Sequence, residues 1–83
     1  MNPYQREATA AALRHRVCPK DVLGRSKLDM HVRPRHEAMW LLNLRGNSTP
    51  KIGRWASMDH TSILWGTRKH QARYEAEHAE RWS

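Results

Sequence analysis

Residues 38 to 44 read Ala-Met-Trp-Leu-Leu-Asn-Leu, the one long apolar segment in a chain of 83 residues. On a helix these side chains fall nearly all round the axis, the pattern of a helix enclosed by neighbours on several sides. The segment is therefore expected to be a central helix, opened by Pro34 and ended by Gly46. A domain of this size hides only about 60 to 65% of its unfolded surface, which allows one core and leaves little room for an enzyme cleft.

The remaining segments also read as helices. Pro3 suits a first helical turn, and the alanine-rich run through Leu13 to Arg14, His15 and Arg16 predicts a helix over residues 3 to 16. Pro19 opens a short helix that Gly24 is expected to end in a left-handed conformation, and residues 25 to 32 read as a basic connecting loop. Ser48 caps about two turns over residues 49 to 55, a break follows at Ser57 and Met58, and Asp59 caps a last helix expected to reach about Arg81. On that helix Ile63, Thr67, His70 and Tyr74 form the expected inward stripe, and Thr61, Trp65 and Arg68 the outward one. No segment alternates with period two, and there is no repeat or low-complexity linker. The expected class is all-α: one domain over residues 1 to 83, with its core at about 17 to 70 and a helical extension over 71 to 83.

Lys and Arg number 15 against 8 Asp and Glu, a formal charge of +7 with a pI near 10.5. That balance favours a polyanionic partner, the alternative being a solvated basic surface. The single Cys18 excludes an internal disulfide and reads as a small core or loop residue. The six histidines follow no zinc spacing, so neither metal nor cofactor is expected. No apolar run has the length of a membrane span or secretory signal, which points to a cytoplasmic protein with no membrane partner. No nucleophile, base and orienting group stand at a useful spacing, so neither catalysis nor a small-molecule substrate is expected.

A short helix, a tight break and a second helix with a polar first turn is the layout of a helix-turn-helix, whose second helix enters the DNA major groove. The first turn here holds Asp59, His60, Thr61 and Ser62. They supply an acceptor, a ring donor or acceptor and two hydroxyls, one beside a methyl, which suit base edges and the thymine methyl. Capping by Asp59 with three ordinary first-turn residues is the alternative. Trp40 and Trp55 lie within apolar runs and read as core, whereas Trp65 falls on the outward stripe, where it can pack on deoxyribose or on a partner.

Three segments, "VRPRHEAMWLL", "STPKIGRWA" and "MDHTSILWGTRK", together resemble the C-terminal DNA-binding domain of the bacterial replication initiator DnaA. The resemblance covers about residues 17 to 70. It implies a helical fold akin to Trp repressor, with Asp59, His60 and Thr61 in the major groove and Arg35 in the adjacent minor groove. It further implies that Arg25, Lys27 and the helix start at Thr49, Pro50 and Lys51 lie on phosphates. The chain departs from the family in having Ser57 and Met58 where Gly-Arg is usual, in Glu37 and His70 where aliphatic residues are preferred, and in a shorter turn before Ser48. It also contains no Gly-x-x-x-x-Gly-Lys-Ser/Thr loop, and so no nucleotide-binding ATPase motif.

The expected partner is double-stranded DNA. Arg33 is expected to cap or touch a phosphate, and Arg54, Ser62, Trp65, Arg68 and Lys69 complete the expected contact set. The mixed charges of Arg73, Glu75, Glu77, His78, Glu80 and Arg81, with Trp82, make the last helix a solvated extension or a surface for another protein domain. The functional expectation is a transcription regulator, phage-related in kind, acting at the nucleoid. A replication-associated DNA-binding protein or a protein adaptor on the same scaffold are the alternatives.

Overall fold

The computed structural model describes residues 1 to 79. It shows α1 (Pro3–Arg14), α2 (Pro19–Leu23), α3 (Asp29–Leu44), α4 (Thr49–Ala56) and α5 (His60–His78), and no strand among the described residues. The class is all-α, as the sequence indicates.

The helix that contains residues 38 to 44 is central: α3 packs against each of the other four helices. It buries Ala38, Met39 and Leu42 against Tyr4, Ala8, Ala12, Val22, Ile52 and Ile63. Leu44, at its end, stays exposed. Trp40 faces α5, its ring 4.8 Å from His70 and 5.1 Å from Tyr74, with Nε1 donating to Gln71 Oε1 at 2.5 Å. A partly polar edge of this kind suits tryptophan, whose N–H needs a partner once covered.

The helix ends follow local chemistry. Asn2 and Gln5 form a reciprocal cap on α1, and Asn2 Nδ2 donates to the Trp55 carbonyl at 2.7 Å, tying α1 to α4. Gly46 sits at φ 96°, where only glycine is free of strain, and ends α3 as expected. Ser48 caps α4 by accepting from Lys51 N, and Asp59 caps α5.

Four expectations need correction. The first helix stops at Arg14 rather than Arg16, because Arg16 turns to φ 58° and lets Val17 N reach the Ala12 carbonyl. Gly24 is extended (φ −83°, ψ −159°) rather than left-handed, which directs its carbonyl to the Arg35 guanidinium at 2.9 Å. α3 begins at Asp29, so the loop is only residues 25 to 28 and Pro34 lies inside a helix. A proline there removes one helix bond. An Asp29–Arg33 ion pair and full burial of Pro34 accompany it. On α5 the buried positions are Ile63 and Gly66, with Thr67 and His70 half-buried, while Tyr74 lies on the inward side against Trp40 but is 38% exposed and stacks on His78 at 4.1 Å. The expected end of α5 near Arg81, together with Glu80 and Trp82, lies outside the described residues.

Two glycines set helix approaches. A Cβ on Gly53 would lie 2.6 Å from the Met58 carbonyl oxygen; one on Gly66 would lie 2.6 Å from Met39 Sδ and 2.8 Å from His36 Cδ2. Backbone yields less readily than a methionine side chain. Gly53→Ala is therefore expected to lower stability by about 2 kcal/mol despite alanine's better helix propensity, and Gly66→Ala by less, as read from urea unfolding midpoints.

His36 and His70 lie at the α3–α5 junction. Burial, reinforced by Arg73, His70, Lys69 and Arg35, lowers the His36 pKa from 6.5 to about 4, and burial also lowers that of His70. The unfolded chain thus binds protons that the folded chain refuses. Through these two rings, stability is complete above pH 6.5 and falls as the pH drops toward about 4. Chemical denaturation at pH 7 and pH 5 should show the loss, and His36→Gln should reduce the difference between them.

Candidate nucleic-acid interface

The polar first turn of α5 is held by an apolar anchor. Ile63 is fully buried, while Asp59, His60, Thr61 and Ser62 are all exposed. Asp59 Oδ1 accepts from Thr61 N at 3.0 Å, and this bond, followed by one with the Thr61 hydroxyl, holds its carboxyl below the ordinary carboxylate range. His60 Nδ1 lies 3.2 Å from Asp59 Oδ1. The capping role of Asp59 and an outward-facing His60 and Thr61 thus coexist: the carboxylate closes the helix end and engages one polar atom of each neighbour, while both side chains stay exposed. Trp65, one turn further and 62% exposed, has Lys69 Nζ 5.5 Å from its ring centre. Arg68 is also exposed on this helix.

Before α5, the chain turns through Ser57 at φ 55°, ψ 42°, with Met58 N donating to the Gly53 carbonyl at 2.9 Å. The first turn of α4 presents half-buried Thr49 and exposed Pro50 and Lys51, and Lys51 Nζ lies 5.2 Å from the Trp55 ring centre. Arg54 is exposed on the next turn. The 25 to 28 loop reaches the same end of the molecule: Gly24 and Arg25 line one hollow with Trp55, Ala56, Ser57 and Met58.

Cations divide into two sets. Among the described residues, ion pairs engage Arg14 with Glu37, Arg33 with Asp29, Arg45 with Glu7, and Arg73 with Asp29. Arg25, Lys27, Lys51, Arg54, Arg68 and Lys69 are exposed and take part in none of these, and the same holds for Arg6, Arg16 and Lys20 on α1, the turn after it and α2. For Lys51, Arg54, Arg68 and Lys69 a scarcity of acids nearby in the chain contributes. Asp59 is the only acidic residue between Glu37 and Glu75, and it is occupied by its cap.

Two arginines behave otherwise than expected. Arg35, expected in a minor groove, is only 8% exposed and donates to four backbone carbonyls: Val22 (2.6 Å), Ser26 (2.5 Å), Gly24 (2.9 Å) and Asp21 (3.0 Å). A guanidinium turned inward with its fork filled is not placed to read a groove. Arg33, expected on a phosphate, is held by Asp29 with Nε 2.5 Å from the carboxylate, one helical turn away. The sequence reading also missed His31, buried beside Arg35 on the same face of α3, with Nδ1 2.7 Å from the Ser26 hydroxyl. The i, i+4 spacing of the two was the available signal.

No protein-family model matches the chain, and no solved structure matches it. A partial similarity is found. Over 51 residues the chain is 39% identical to the chromosomal replication initiator protein DnaA of Ruegeria sp. (strain TM1040). The shared stretch is 59% of this chain and 11% of that protein. The departures from the DnaA pattern have local explanations. Ser57 adopts the left-handed conformation in which glycine is usual. Glu37 is half-buried and bonded to Arg14 and His15 at 3.2 and 2.6 Å, and His70 packs against Trp40.

Arg35→Ala, which leaves four carbonyls without their donor, should lower unfolding stability by about 1 to 3 kcal/mol with no nucleic acid present. Thermal melting of the free protein checks this, since a groove-reading arginine would leave that melting temperature unchanged.

Proposed function

We propose that the chain binds double-stranded DNA sequence-specifically, with α5 entering the major groove and α4 and the 25 to 28 loop on phosphates. The observation that carries the reading is the set of exposed cations on loop, α4 and α5 that no carboxylate engages among the described residues. These segments flank a first helical turn whose exposed groups match base edges. The partial identity to a DnaA initiator supports the same partner.

In this reading His60, Thr61 and Ser62 face bases, Asp59 positions them and accepts from a base amino group, and Trp65 lies against the sugar edge. Thr49, Pro50, Lys51 and Arg54 meet one phosphate strand, Arg68 and Lys69 another. The role proposed is transcription regulation, with a part in replication as the alternative. Selection of bound sequences from a randomised duplex pool, followed by mapping of those sequences to promoters or to a replication origin, tests the role.

Six phosphate contacts, from Arg25, Lys27, Lys51, Arg54, Arg68 and Lys69, predict a log-log slope of affinity against salt of about −5. A slope near zero contradicts the reading. His60→Ala or Thr61→Ala should cost about 1 to 3 kcal/mol on the selected duplex and much less on random duplex, measured by fluorescence anisotropy. Equal losses on both duplexes, with a lower melting temperature, would make the two residues structural.

A further inference from the structure

We infer that His31 and Arg35 are positioning residues that clamp the 24 to 28 loop, so that Arg25 and Lys27 form a preset second contact beside α5. The inference rests on the duplex-binding reading above. Its basis is the number of bonds spent on so short a segment. Arg35 holds the carbonyls of Asp21, Val22, Gly24 and Ser26. One turn earlier on α3, His31 Nδ1 pairs with the Ser26 hydroxyl at 2.7 Å, while its Nε2 stands 3.6 Å from Asp21 Oδ2. The same hydroxyl accepts from Leu28 N at 3.3 Å.

A surface loop ordinarily satisfies its carbonyls with water, and burial of a guanidinium is costly. Here both are replaced by a rigid link between α3 and the loop. The link has a direction. Ser26 is drawn inward, and the residues on either side of it, Arg25 and Lys27, are left exposed. Since Gly24 and Arg25 line the hollow formed by Trp55 to Met58, the clamped loop is registered to the turn that leads into Asp59. Cations held in place lose little freedom when they meet phosphates, and affinity gains what a mobile loop would forfeit.

The test is a binding cycle on one selected duplex. Arg35→Lys, Ser26→Ala and the double change Arg25→Ala/Lys27→Ala are measured alone and combined, with salt slopes, melting temperatures and amide relaxation of residues 24 to 28. Ser26→Ala removes only the hydroxyl latch, so it decides the matter if Arg35→Lys fails to fold. Both clamp variants are expected to loosen the loop and to reduce the slope by up to about 1.8. In the Arg25→Ala/Lys27→Ala background neither should cost more than about twofold further affinity. If the losses multiply, or the slopes stay at the wild-type value, the positioning role is overturned while duplex binding stands. If the wild type shows no salt-dependent duplex binding, the functional reading fails and the clamp's role in it fails too.

Discussion

A single buried guanidinium organises one side of this domain. Arg35 donates to four carbonyls spread over residues 21 to 26, and without it the end of α2 and the following loop would present bare backbone acceptors to the core. Charged donors form stronger bonds than neutral ones, and the planar fork of arginine can satisfy several acceptors at once where lysine has a single point of attachment. α2 has only five residues, too few to persist alone, so its geometry depends on this link to α3. The core helix therefore supplies more than apolar surface. It also carries the polar group that shapes the neighbouring loop.

Where the sequence was legible, the signal was local. Ser48, Gly46, Pro50 and Asp59 act within one turn of themselves, and each sits at the helix boundary its chemistry favours. The apolar run from Ala38 likewise marks the helix that meets all others. Pro34 and Gly24 misled for the converse reason. A proline marks a helix start more often than an interior position, but here α3 already begins at Asp29, and buried His31 and Arg35 flank the buried Pro34. Gly24 could have ended a helix in a left-handed conformation; a side chain eleven residues away instead drew its carbonyl the other way. The family resemblance puts Arg35 in a groove, and the set of carbonyls that captures it instead exists only once the chain has folded.

The expected contact residues fare differently according to where they stand. Those on α4, α5 and residues 25 and 27 reach solvent at one end of the molecule, whereas the two arginines of α3 turn to intramolecular partners. For Arg33 the difference follows from a nearby acid, and for Arg35 from backbone carbonyls. α3 has Asp29 and Glu37 to engage neighbouring cations, and the long span from Ala38 to Tyr74 has only Asp59. Residual positive potential is thus a property of sequence spacing as much as of the total charge.

Ser57 gives the turn between α4 and α5 a particular mechanical character. A left-handed conformation costs a non-glycine residue about 1 kcal/mol or more, so fold stability is lower than a glycine would allow. Glycine, however, has wide conformational freedom, and a glycine joint would let α5 swing through a range of angles relative to α4. The serine joint has fewer accessible states, and the Met58 to Gly53 bond holds it in this strained one. The hinge is therefore stiff, and α5 departs from α4 along a narrow cone of directions. A helix so aimed would approach its target with its orientation already chosen, at the expense of adapting to sites of different shape.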